Sequence, residues 1–238
     1  MELKKRGDLT LNGLGSANGG QFHHVKINGT GTVNTDIDCT EFECHGSGSV
    51  NGNVTSHKVK ISGNGKVKGT IETGLMTVEG TAKIGENLFA KTVEVSGKAV
   101  IGGRLKAEEI KVKGMLVVKE DCEAELFKAE SHFSIGGLLN ADHIEVSLFG
   151  ECKVKEIGGQ KIFIKQKAAL LGLFKSFLPT QLEVDLIEGD EIEVENTKAA
   201  VIRGNHVTIG PKCQIGLVEY KEELTIDKKA TVKEYRKV

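Results

Sequence analysis

Seven histidines and five cysteines are the side chains here best suited to holding a metal, moving a proton or attacking a carbonyl. The histidines are His23, His24, His45, His57, His132, His143 and His206. His45 and His57 approach one corner of the repeat described below, but no carboxylate–histidine spacing supports a metal site there. The cysteines, Cys39, Cys44, Cys122, Cys152 and Cys213, are odd in number and show neither disulfide nor metal spacing. That usage fits a reducing cytoplasm, the location expected for a chain whose start (Met1-Glu-Leu-Lys-Lys-Arg6) carries no secretion signal. The glycine-rich runs 13–20 and 46–52 do not join a strand to a helix, so no phosphate loop is read and no nucleotide is expected. Basic residues alternate with acidic ones around a net charge of −1, which leaves no patch for nucleic acid. No cofactor, no metal and no catalytic residue is expected.

The elements that position these side chains follow from a repeat. The phrase apolar-x-apolar-x-Gly occurs as Val25-Lys-Ile-Asn-Gly29, Phe42-Glu-Cys-His-Gly46, Val59-Lys-Ile-Ser-Gly63, Met76-Thr-Val-Glu-Gly80, Val93-Glu-Val-Ser-Gly97 and Ile110-Lys-Val-Lys-Gly114, each 17 residues after the last. Two further copies, at Phe127 and Ile144, keep the phase without the glycine, and an upstream copy, Leu9-Thr-Leu11-Asn-Gly13, is one residue out of step. Each coil carries three pairs of inward residues spaced by two, the strand period, as in Val59/Ile61, Gly65/Val67 and Ile71/Thr73. The expected fold is all-β: a single-stranded parallel β-helix (β-solenoid) with three short strands per 17-residue coil, right-handed by the crossover rule. Thirty glycines, two prolines, no tryptophan and 5% aromatics suit a core of stacked medium aliphatics with glycine corners. Glycine after the first pair, and again at Gly52, Gly69, Gly103 and Gly137, is expected to supply bends with positive φ. In this phase most cysteines face inward as small apolar residues, and none of the histidines does.

The regular repeat fades after about Glu156. Three regions are expected: 1–157, regular β-helix; 158–181, an insertion forming a loop or short amphipathic helix; and 182–238, less regular coils of the same solenoid. Gly216 lies six repeat lengths beyond Gly114, which would put Val218/Tyr220 and Leu224/Ile226 in the two pairs that follow the corner glycine. The insertion holds the one concentrated apolar stretch, with Leu170, Leu171, Leu173, Phe174, Phe177 and Leu178 beside Lys165, Lys167 and Lys175. It reads either as a flap over an exposed strand edge or as a contact for a membrane surface or a protein partner.

The segments Val59-Lys-Ile-Ser-Gly-Asn-Gly-Lys-Val-Lys-Gly-Thr-Ile71 and Val93-Glu-Val-Ser-Gly-Lys-Ala-Val-Ile-Gly-Gly-Arg-Leu105 resemble those of the bactofilins, bacterial polymer-forming cytoskeletal proteins. The resemblance runs from about Leu9 to Val154. It implies a right-handed β-helix that polymerises end to end without nucleotide, often at the membrane, as a scaffold in cell shape or motility. The chain is longer than the usual single domain, carries the insertion and an acidic stretch from Asp185 to Glu195, and looks closest to a longer form from Gram-positive bacteria.

Two enzyme classes build on solenoids, and neither fits. Left-handed hexapeptide enzymes favour an 18-residue turn, and secreted pectin-lyase-type helices need larger coils with an Arg, Asp and aromatic groove. The expected function is therefore structural, with the chain itself as partner. The end-to-end contacts are expected at Leu9, Leu11, Leu224, Ile226 and Val232, where strand edges lack a neighbour. The alternative is a non-polymeric β-helix binding a membrane or protein through 165–179. Lys4, Lys5 and Arg6 at one end, and Lys228, Lys229, Lys233, Arg236 and Lys237 at the other, either limit uncontrolled stacking or select a complementary copy.

Overall fold

A computed structural model describes residues 6–166 and 180–238. Among them the chain forms strands and no helix, and it divides into two compact units, Met1–Val118 and Lys119–Val238.

The first unit contains β1 (Gly7–Leu11), β2 (Leu14–Ala17), β3 (Gly20–Ile27), β4 (Thr30–Val33), β5 (Ile37–Cys44), β6 (Ser47–Val50), β7 (Val54–Ile61), β8 (Asn64–Val67), β9 (Ile71–Val78), β10 (Thr81–Ile84), β11 (Leu88–Val95), β12 (Lys98–Ile101), β13 (Leu105–Lys106), β14 (Glu109–Val112) and β15 (Met115–Val118). They pair in parallel from coil to coil, β3 with β5, β5 with β7, β4 with β6 and so on. The registers Phe42↔Val59, Val59↔Met76 and Met76↔Val93 reproduce the repeat residue for residue. Leu9 pairs with Val25, which is the one-residue slip read from the sequence.

Three inward pairs per coil are present, but they sit on two strands. In β9, Ile71 leads to Met76 and Val78, all buried, with Gly74 and Leu75 in succession off the core row. Two neighbouring residues facing away from the core shift the alternation by one and bend the sheet, and the ladder skips one residue there, between Ala90↔Thr73 and Thr92↔Leu75. The third corner is therefore continuous strand, except where β13 and β14 part at residues 107–108. Each Ile or Val taken fully out of water contributes about 1.5–3 kcal/mol, and the stacked rows supply these in register.

The corner glycines serve closeness rather than positive φ. None of Gly29, Gly46, Gly63, Gly80, Gly97 and Gly114 is left-handed; positive φ among the described glycines occurs only at Gly20 and Gly150. A Cβ on Gly46 would collide with the Gly29 carbonyl oxygen, and one on Gly63 with that of Gly46. The column continues through Gly80, Gly97 and Gly114. Stacked coils bring backbone against backbone at this corner, and only hydrogen fits.

The second corner carries a polar ladder. The Asp36 carboxylate accepts from the Asn53 backbone N–H at 2.7 Å, and the Asn53 side-chain Oδ1 accepts from the Thr70 N–H at 2.8 Å. Asn87 accepts from Arg104 N–H at 2.9 Å, and in the second unit Asp121 accepts from Leu138 N–H at 3.0 Å. A Cβ on Gly52, Gly69, Gly103 or Gly137 would strike that same Asp or Asn side chain. Where the residue 16 positions earlier is not Asp or Asn, the glycine is absent: Thr35 follows Gly19 and Glu86 follows Thr70. There Thr35 Oγ1 accepts from Gly19 N–H at 3.0 Å, and Thr70 Oγ1 donates to Glu86 at 3.1 Å.

The second unit contains β16 (Cys122–Ala129), β17 (His132–Leu148), β18 (Glu151–Gln166), β19 (Gln181–Val194), β20 (Thr197–Ile209), β21 (Gln214–Ile226) and β22 (Thr231–Lys237), each parallel to the next. Its coils vary in length. Ile162 lies 18 residues after its partner Ile144, Val207 lies 15 after Ile192, and Leu224 lies 17 after Val207. Ile192 lies 30 residues after its partner Ile162, and leaving out 167–179 returns one coil of 17. This variation overturns the phase counted from Gly114. Val218 pairs with Ile202, and Leu224 continues the row of Ile144, Ile162, Ile192 and Val207. Leu224/Ile226 thus belong to the pair that precedes the corner, and the sixfold spacing is coincidence.

Candidate assembly edges and a histidine cluster

A strand inside a solenoid is paired on both sides. Among the described residues β1 and β2 are paired on one side only, with β3 and β4. The inward row shows the consequence. Val25 and Ile27 are 0% exposed, whereas Leu9 and Leu11 one coil earlier are half-buried and Leu14 is 90% exposed. At the other chain end β22 covers Gln214–Tyr220 of β21 but not its remainder. Leu224 and Val232 are half-buried, and Ile226, Tyr235 and Val238 are exposed. The five residues read from the sequence as end contacts thus lie on these edge strands. Leu170, Leu171, Leu173, Phe174, Phe177 and Leu178 lie outside the described residues. Beside them, Lys165 meets Glu193 at 3.1 Å and the Gln166 N–H donates to Glu195 at 3.1 Å.

Two of the arginines at the chain ends are engaged. Arg6 grips Asp38 through two 3.1 Å hydrogen bonds. In the second unit Glu219, 6% exposed, lies between Arg203, whose Nε donates at 2.7 Å, and Arg236. The Arg236 and Arg203 guanidiniums hold its carboxyl below the usual carboxylate range. The acidic run in β19 is likewise one rail of a charge ladder, with Glu188 on Arg203, Glu191 near Lys161 and Glu193 on Lys165. It forms no free acidic patch.

All five cysteines are buried and free, where the repeat phase turns most of them inward. Burial pushes every thiol up, Cys152 and Cys213 to about 11 and Cys122 further. A thiol held protonated is a poor nucleophile. Cys213 donates to the Val194 carbonyl at 3.3 Å and Cys152 to that of Ser131 at 3.4 Å. Their role is packing.

The seven histidines stay out of the core. The sequence reading finds no converging set among them, and the structure corrects this at one place. His23 Nδ1 and His24 Nδ1 lie 3.0 Å apart, and Asp8 Oδ1 is 4.0 Å from the first and 3.4 Å from the second. Asp8 also accepts the His24 backbone N–H at 3.1 Å. Consecutive residues on a flat strand point to opposite faces. His23 and His24 converge because they occupy the third bend, where two successive side chains face outward. Asp8 reaches them from the preceding coil, a neighbour that the irregular first repeat hides in the sequence.

Among the described residues no helix is long and apolar enough to cross a membrane. A family model, Bactofilin, described as polymer-forming cytoskeletal, matches residues 2–88. The uncharacterized protein YhbE of Bacillus subtilis (strain 168) is 56% identical over 225 residues, 94% of this chain and 95% of its own length. YhbF of the same organism is 41% identical over 103 residues, 43% of this chain and 42% of its own length. No solved structure matches.

Proposed function

This chain belongs to the bactofilin family, and on that premise we propose that it is a self-assembling cytoskeletal scaffold whose copies stack through solenoid edges without nucleotide, in the service of cell shape or motility. The observation that carries the reading is the loss of burial at the first and last strands. The rows that are sealed at Val25 and Val207 open at Leu9 and Leu224. Unpaired backbone flanked by half-covered leucines is a template for another strand. A second copy would complete both the ladder and the aliphatic row. The scaffold acts in the cytoplasm, at the inner face of the membrane. Contact with that surface or with a protein partner we assign to Leu170, Leu171, Leu173, Phe174, Phe177 and Leu178.

Electron microscopy and light scattering of the purified chain without nucleotide test this. Filaments or sheets are expected, and a monomer or dimer at every salt concentration would overturn it. Leu9→Glu and Val232→Glu, each with its β-sheet circular dichroism intact, should abolish assembly by placing a charge in the contact. For the membrane contact, deleting Leu170–Phe177 and following membrane sedimentation is decisive, since unchanged sedimentation would remove the insertion from the account.

A further inference from the structure

We propose that Asp8, His23 and His24 form a site for a divalent transition-metal ion of zinc's class, bridging the first coil of the solenoid to the second. Two imidazole nitrogens and a carboxylate oxygen are the donor set that suits zinc and nickel, and disfavours the oxygen-seeking calcium and magnesium. Geometry supports the assignment. Tetrahedral ligands on bonds of ~2.0–2.1 Å lie about 3.3 Å from one another. The three donor separations here, 3.0, 3.4 and 4.0 Å, bracket that value, so small side-chain rotations would close the set around an ion.

A second shell points the same way. His24 presents Nδ1 to the cluster and Nε2 toward Glu41 Oε2, 3.7 Å away. Glu41 is in turn held by Lys58 Nζ at 2.9 Å. A carboxylate behind a ligating histidine fixes the ring's tautomer and raises its basicity. The column Asp8, His24, Glu41, Lys58 places Glu41 within a small side-chain rotation of that arrangement along one bend of the stack, each residue paired in register with the next from His24 onward. The three side chains are roughly half exposed, which leaves an entry path and room for water or another donor at the remaining position. The buried cysteines offer no competing site.

Isothermal titration of the full chain with Zn²⁺, beside Ni²⁺ and Mg²⁺, tests the proposal. One Zn²⁺ per chain is expected, with no response to Mg²⁺. His23→Ala and His24→Ala should each weaken binding by more than about tenfold, and Glu41→Gln, which leaves the donors in place, by about 10-fold. X-ray absorption at the zinc edge should report two imidazole ligands. Equal affinity in the His23→Ala/His24→Ala double variant, or a spectrum without imidazole, would overturn the site. Because assembly is read separately, failure of this titration leaves the scaffold proposal standing.

Discussion

Ser131 is 2% exposed, and its hydroxyl has no hydrogen-bond partner among the described residues. It stands where other coils carry the corner glycine, beside the edge-to-face pair Phe127–Phe133 at 5.4 Å. A buried hydroxyl without a partner costs about 1–3 kcal/mol. Ser131→Ala should therefore stabilise the chain by about 1 kcal/mol, read as a higher denaturant midpoint. Glu219 is the opposite case, a carboxylate met from both sides by arginine. Its folded-state pKa is depressed, so its contribution is complete above the ordinary carboxylate range and fades as pH falls through the folded value. Glu219→Gln should lower the melting temperature near neutrality and match the parent in acid; an equal deficit at both pH values would count against an ionic role. Of these residues the sequence exposes the cysteines and the outward histidines, because their phase is set by the repeat. It hides Ser131 and the Asp8 cluster, since both depend on which atoms meet between coils.

At the scale of the coil, the period, the parallel pairing and the inward rows are legible from Phe42 to Ile110 because spacing alone determines them. The corners are less legible. Glycine suggests positive φ, yet none of these corner positions has it and glycine answers the neighbouring coil instead. The ladder of Asp36, Asn53, Asn87 and Asp121 shows how one corner residue constrains another 16 positions on. Gly69→Glu should destabilise by about 1–3 kcal/mol, since the new side chain meets Asn53 in a packed corner. Adding Asn53→Thr recreates the natural Thr70/Glu86 pairing and should recover most of the loss. A double-mutant cycle with no coupling would refute the linkage. The C-terminal phase is illegible for a simpler reason: coils of 15 and 18 residues erase any count carried through them.

For the molecule as a whole, the net charge of −1 conceals ends of one sign. Lys4, Lys5 and Arg6 outnumber Glu2 and Asp8, and Lys221–Val238 holds six basic against four acidic side chains. Edges of like charge repel at low ionic strength and are screened within about 8–10 Å at physiological salt. Raising salt should thus speed assembly, followed by light scattering; dissolution by salt would mean that ion pairs between copies hold the contact. The glycine column gives the first coil a further significance. Gly29 cannot accept a methyl because Gly13 lies beneath it, while nothing lies within 4 Å of a Cβ on Gly13. Folding of a single copy therefore places no demand on position 13, and alanine there should leave the melting curve unchanged. Drift should be free at this position in an isolated molecule and arrested in a lineage whose copies continue the stack. The tolerance of Gly13 in a living population, set against its tolerance in the test tube, thus records whether another molecule's backbone has been its neighbour.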